Sequence, residues 1–448
     1  MQWKTTWGRW TPPPSDESTT LKRNTRLGIA NGVLFSLAEA FSDANLVLSV
    51  FVRQLGASPV IVGLLPALKN GGWLLPQLWS AGRLQAMRHK LPVYQRAGIV
   101  RFCIWILMAG LVWFSGWLSA GWLLAAFILA YSLYSFTGGA GSVAFQEVVA
   151  KTIPVQRRGA FFGTRNLLGG LLGFCLASPV VGWVLSVNSP FLFPHNFAVL
   201  VTISLVCIGL GVIMFSRISE PPTHNPPAPV RGGEMLRMMP TLLREDVAFR
   251  RYVVSRMITR FAGLADPFYI LYAREVLHVA PRMIGVYLAI RVLSAALSNV
   301  WWSQVADRHG NRLLILLTGA LIGVVPIWAL LVGPLGALLG PASLGWLFGG
   351  VFLLIGLSVD GAGTAGLTYV MELAPDTRRP QYIGVSNTLM GVATFFPVLG
   401  GVLISSLGYG PVFAMTAVFG ALGLLVSARL PEPRAVAGDQ WSVAGAEG

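Results

Sequence analysis

Apolar runs of about twenty residues recur from residue 27 to residue 427, separated by short polar stretches that hold most of the charge. Runs of that length match the roughly 30 Å hydrocarbon core of a bilayer and predict membrane-spanning helices. In order, they predict spans at 27–52 and 58–80, then 97–117 and 121–146, a fifth ending near 187, and a sixth at 197–215. After a Pro-rich linker they resume at 250–273, 281–304, 313–332, 344–370, 382–407 and 411–427. The expectation is an all-α membrane protein with twelve transmembrane helices. Its parts are a polar tail (1–26), a six-helix half (27–217), a central loop (218–249), a second six-helix half (250–430) and a short tail (431–448). Within the loop, MLRMMPTLLRED has the amphipathic spacing of a helix lying on the membrane face.

Two segments do not fit a purely apolar reading. Ala38 to Gly63 places Glu39 and Asp43 where hydrocarbon should be, and Phe261 to Gly285 repeats its pattern: Asp266 matches Asp43, Leu277 matches Leu55, Pro281 matches Pro59 and Gly285 matches Gly63. Lys69 likewise falls opposite Arg291, and Pro154, Arg157, Arg158, Gly163 and Asn166 fall opposite Pro375, Arg378, Arg379, Gly384 and Asn387. A near-constant offset across five spans describes two halves of common descent. With an even number of spans each, they run in the same direction and form a parallel repeat.

Charge decides topology. Only 11% of the residues are charged, yet the net charge is +15. Of the 33 Lys and Arg, 24 fall in segments on one side. Six lie within spans, and Arg53, Arg274 and Arg282 lie on the other side. That asymmetry follows the positive-inside rule, which puts both termini in the cytoplasm of a multi-pass plasma-membrane protein. It also explains the positive charge without nucleic acid, so the expected macromolecular partner is the lipid bilayer alone. The first 26 residues contain no cleavable signal pattern. Cys103, Cys175 and Cys207 have no metal-like spacing, and no phosphate-binding loop or catalytic triad is visible, so neither a cofactor nor an enzyme activity is expected.

A charged side chain at bilayer depth costs about 2.5–3.5 kcal/mol on insertion scales and is usually kept for function. Ser36, Glu39 and Asp43 share one face of the first span, with the two acids about 18 and 24 Å along it. That face should border an internal cavity, which makes Glu39, Asp43 and Asp266 the candidate proton carriers. Lys69, Arg260, Arg291 and Asp360 are the candidate substrate-cavity residues. The two midplane cations, Lys69 and Arg291, allow two readings. They could face one cavity and hold an anion, or each could neutralise a neighbouring acid, Lys69 with Asp43 and Arg291 with Asp266. Arg101, Arg165 and Arg256 lie close enough to the cytoplasmic ends for snorkelling to explain them.

The loop WSQVADRHGNR, Trp302 to Arg312, resembles the Asp-Arg-x-Gly-x-Arg motif of the major facilitator superfamily. Glu147 and Glu372 resemble that family's acids at the inner ends of the fourth and tenth spans. The resemblance covers residues 27–430 and implies a transporter of alternating access. It implies a cytoplasmic latch at Asp307, Arg308, Arg312, Glu147 and Glu372. The equivalent first-half loop, WSAGRLQAMRHK, lacks the Asp. In the fifth span, Gly173 to Gly182 loosely echoes a Gly-Pro-x-x-Gly pattern of the family's drug/proton antiporters, which tilts the expectation toward export. The functional expectation is therefore a monomeric secondary transporter exporting a small organic molecule against H+. Uptake or exchange of an anion between Lys69 and Arg291, and a non-transporting sensor, remain open alternatives.

Overall fold

A computed structural model of the chain describes residues 15–223, 233–375 and 378–433. The first 14 residues, with the tryptophans of the expected tail, lie outside the described residues, as do most of the linker and the last fifteen residues. All regular elements described are helical. The first run forms α1 (Ser15–Phe41) and α2 (Val47–Gln54), and the second forms α3 (Pro59–Gln85). Next come α4 (Leu91–Trp113), α5 (Ala120–Thr152), α6 (Val155–Leu172), α7 (Ser178–Val184) and α8 (His195–Ser216). The linker contributes α9 (Gly233–Glu245). The second set comprises α10 (Val247–Ala262), α11 (Tyr269–Glu275), α12 (Met283–His309), α13 (Asn311–Leu339), α14 (Leu344–Leu373), α15 (Arg379–Ala393), α16 (Phe396–Leu407) and α17 (Tyr409–Ser427).

Nine helical stretches among the described residues are long and apolar enough to cross a bilayer, and they coincide with nine of the twelve expected spans. The other three positions are occupied by α1–α2, α3 and α10–α11, the helices that carry Glu39, Asp43, Lys69, Arg260 and Asp266. The residues that spoil their apolar character are the candidate site.

The first span differs from the continuous helix expected. It breaks between α1 and α2, and Asp43 sits in the break. Its Oδ1 accepts the backbone N–H groups of Asn45 (3.0 Å) and Leu46 (2.9 Å), so the side chain satisfies donors that an interrupted helix leaves free. At the equivalent place in the seventh span, Gly263–Phe268 forms a 3-10 turn that contains Asp266 and Pro267. In the fifth span a π-helical turn, Gly173–Ala177, precedes Pro179. The Gly173 carbonyl accepts both the Ser178 backbone N–H and, at 2.9 Å, the Ser178 hydroxyl.

The first and second sets of helices meet mainly in the half of the molecule away from the chain ends. α3 packs along α16 and α7 along α12. Both seams require glycine. A Cβ on Gly63 would lie 2.1 Å from the Pro397 carbonyl oxygen, and one on Gly401 would lie 2.4 Å from that of Pro59. On the other seam, a Cβ on Gly285 would lie 2.4 Å from the Ser178 oxygen. These backbones touch directly, as small-residue interfaces in membranes allow. The face opposite the chain ends, here the far face, is therefore closed by these two seams.

On the chain-end face, Glu220 performs a task no first-half residue was expected to perform. Its side chain is 2% exposed, and its carboxylate accepts the backbone N–H of Lys90 (2.9 Å) and of Leu91 (2.7 Å) and pairs with Lys151 at 2.6 Å. It thus caps the start of α4, where a helix dipole favours a carboxylate. Burial alone would raise its pKa. The Lys151 ammonium and the two backbone N–H groups outweigh that and hold it below the usual glutamate range. A depressed folded-state pKa contributes stability above the unfolded pKa, about 4.3, and loses it as pH falls through the folded value. Glu220→Gln should destabilise the protein by about 2–3 kcal/mol at pH 7, measured as a lower thermal midpoint. The gap between wild type and variant should narrow below about pH 4.3. A constant gap would show that the charge is not the cause.

The linker helix α9 lays Leu242, Leu243 and Met239 on the protein's own core beside Phe249, Tyr252 and Tyr382, while Met238 stays exposed. Asp246 fixes the join to α10: it accepts the Phe249 N–H at 2.8 Å and the Tyr382 hydroxyl at 2.7 Å.

Candidate functional site

The site grows from the break in the first span. Asp43, 3% exposed, uses Oδ1 for the α2 backbone and offers both oxygens to Arg291 of α12. The Arg291 Nη2 lies 2.5 Å from Oδ2 and Nη1 lies 3.2 Å from Oδ1, a two-pronged guanidinium–carboxylate pair between residues 248 positions apart. This corrects the neighbour pairing expected from sequence. Arg291 takes Asp43 rather than Asp266, and Lys69 takes Glu39, at 3.6 Å, rather than Asp43. The reason is azimuthal: repeat symmetry gives depth, while the break swings Asp43 across the seam to α12. The two midplane cations are thus each held by an acid of α1 or its break.

Arg101 and Arg256 do not snorkel. Both are buried, at 9% and 7% exposure. Arg101 donates to the Tyr134 hydroxyl at 2.7 Å and lies over the rings of Tyr134 (4.4 Å), Phe35 (5.0 Å) and Trp73 (5.9 Å), an aromatic cage that replaces a counter-charge. Arg165 behaves similarly, 4.6 Å from the Phe145 ring, with its stem filling the notch left by Gly32. The aromatic residues that meet these arginines, Phe35, Trp73, Tyr134 and Phe145, lie on other helices and were visible in the sequence only one by one. Their convergence was not.

Asp266 and Arg260, expected to belong to the same cavity as Lys69, instead line a separate recess of about 50 Å³ among α10, α13 and α14. Asp360, on α14, is exposed and close enough to act electrostatically on Arg291. The latch residues lie at the chain-end face in two groups. Glu147 pairs with Lys90 (2.7 Å) in the first set, while Arg312 donates to the Ala428 carbonyl (2.8 Å) at the end of α17 in the second. Asp307, Arg308 and Glu372 are exposed at the same face.

At the far face, sequence reasoning missed a pair that its own offset contained. Arg53 and Glu275, 222 positions apart, occupy equivalent places in the two repeats and form an ion pair at 2.5 Å. Tyr409 donates to the other Glu275 oxygen at 2.7 Å, and Arg53 also holds the Ala57 carbonyl at 3.0 Å. Both charged side chains are about one-third exposed, so the pair contributes at most about 1 kcal/mol. Charge reversal at Glu275 (Glu275→Arg) should therefore shift the far-face closed population by about fivefold. Combining it with Arg53→Glu should restore the shift, read as labelling of a far-face cysteine. Failure of the double variant to restore it would remove the pair from the closure.

Residues 252–445 match the family model described as the Major Facilitator Superfamily. The uncharacterized protein Rv2209 of Mycobacterium tuberculosis is 24% identical over 364 residues, which cover 78% of this chain and 68% of that one. The multidrug resistance protein MdtG of Dickeya zeae is 31% identical over 136 residues, 30% of each chain. In solved structures, the D-xylose–proton symporter shares the fold at a TM-score of 0.68 and 16% identity, over 92% of this chain and 98% of that one. Residues 252–445 are thus similar to the Major Facilitator Superfamily, and the chain shares the fold of a solved D-xylose–proton symporter.

Proposed function

We propose that this chain is a membrane transporter that exports a small organic molecule in exchange for protons, by alternating access between two six-helix halves. The observation that carries this reading is the Asp43–Arg291 pair. A carboxylate in a helix break, held by a guanidinium of the opposite half, links a protonation event to the contact that closes the far face. Protonating Asp43 removes the charge Arg291 holds, and the seam between the halves loses its polar lock. Lys69 and Glu39 form the second acid–cation pair on the same wall. With both midplane cations already matched by carboxylates, an anion bound between Lys69 and Arg291 has less support. α1–α2, α3 and α10–α11 complete twelve spans around this axis.

In this reading both termini lie in the cytoplasm of a plasma-membrane protein, which the positive-inside asymmetry supports, and the closed far face points outward. The export direction draws on the partial likeness to a protein named for multidrug resistance. The chain acts as a monomer in this reading. Inverted membrane vesicles energised to an acidic interior test it. Addition of a transported compound should dissipate the gradient, read as dequenching of an acridine dye, with the wild type and not with Asp43→Asn. Dequenching that persists in Asp43→Asn would remove Asp43 from the proton path.

A further inference from the structure

The recess in the second half has an unbalanced charge that the exchange reading does not use. Arg256 and Arg260 are one helical turn apart on α10, so their like charges oppose each other on one face. Asp266 lines the same recess, and the charged groups that act on Arg260 are Arg256 and Asp266. Two guanidinium groups thus share one carboxylate, on which Arg291 also acts from outside the recess. Among the described residues, neither arginine has a carboxylate within ion-pair distance. The Arg256 Nε is buried without a hydrogen-bond partner in a side chain that is 7% exposed, and its guanidinium lies in the notch that Gly366 leaves open.

The other polar groups are already engaged. Tyr252 donates to the Gly366 carbonyl, and the Thr259 and Ser358 hydroxyls donate to Ser255 and Ile355 of their own helices. Free N–H donors in the recess are therefore those of the two arginines. Holding the buried Arg256 without a counter-charge in contact is costly, and one bound negative charge would offset it. The recess of about 50 Å³ exceeds the 10–15 Å³ a water needs, which leaves room for a monatomic anion with a companion water. Arg260 is exposed, so the recess has an entry path, while Arg256 forms its buried end.

We infer that the second half binds one small inorganic anion of the halide class between Arg256 and Arg260, beside Asp266. The site is separate from the Asp43–Arg291 pair and independent of the direction of transport. Chloride is the probe. Purified protein in sodium gluconate is titrated with sodium chloride or bromide at constant ionic strength, and thermal stability is followed by tryptophan fluorescence. Wild type should be stabilised with saturable dependence on halide. Arg260→Gln should weaken the apparent affinity at least tenfold, and Asp266→Asn should tighten it, because it removes a competing negative charge. A general salt effect would move all three proteins alike and would overturn the proposal, as would equal stabilisation by gluconate. Arg256→Gln should abolish the response. If that variant does not fold, the opposite shifts of Arg260→Gln and Asp266→Asn decide the matter.

Discussion

Asp43→Asn is expected to lower pH-driven transport about a hundredfold and to open the far face at neutral pH. Asparagine keeps an oxygen for the Asn45 and Leu46 N–H groups, so the cap on α2 survives and the change isolates the charge. What is lost is the two-pronged pair with Arg291. The Asp43 side chain is 5% exposed and that of Arg291 is 23% exposed, so the pair is shielded from water far better than Arg53–Glu275. Breaking one partner of a buried pair typically costs about 3–5 kcal/mol, because the remaining charge is left unmatched. The exposed Asp360 still acts electrostatically on Arg291, which sets the expectation at the lower end. About 3 kcal/mol is roughly a hundredfold in the ratio of closed to open far face. Asp43→Ala should fall further, since it removes the cap as well.

The second large effect concerns the glycine seam. Gly63→Leu and Gly401→Leu should each wedge the far face open and trap the transporter there, with flux falling by more than tenfold. At both positions the first carbon of any side chain meets a backbone carbonyl, at 2.1 and 2.4 Å. Backbone cannot rotate away as a side-chain tip can, so the helices must separate. Overpacking of this kind costs about 1–3 kcal/mol, all of it charged to the closed state. Gly116→Leu is the control, because nothing lies within 4 Å of a Cβ there. Modification of a far-face cysteine should accelerate in both seam variants and stay at the wild-type rate in the control. Unchanged rates in Gly63→Leu would mean that the seam is not what keeps this face shut.

The sequence made the helices legible because hydrocarbon thickness enforces run length, and the repeat made depth legible because equivalent residues of two parallel halves sit at equal heights. Asp43, Asp266, Lys69 and Arg291 were found in that way. Azimuth was not legible. Where a helix breaks, the side chains beyond the break turn, which is why Asp43 meets Arg291 of the opposite set and leaves Lys69 to Glu39. Arg101 illustrates the same gap: its height suggested snorkelling, while its direction places it in an aromatic cage. Glu220 was read as part of a polar linker, and only tertiary structure brings it under the start of α4. The Arg53–Glu275 pair was within reach, since both residues occupy one place in the repeat and carry opposite charge. Pseudo-symmetric positions near the axis between two halves are the ones that can touch, and that geometric rule would have found them.

The central claim is that protonation of Asp43 releases Arg291 and lets the far face open. It is tested most directly by electron–electron resonance distances between spin labels at Val187 and Val276, exposed positions on the two sets of helices at that face. In wild type the distance should be short at neutral pH and lengthen on acidification. In Asp43→Asn it should be long at neutral pH and should not change on acidification. A short distance in Asp43→Asn at neutral pH would contradict the account.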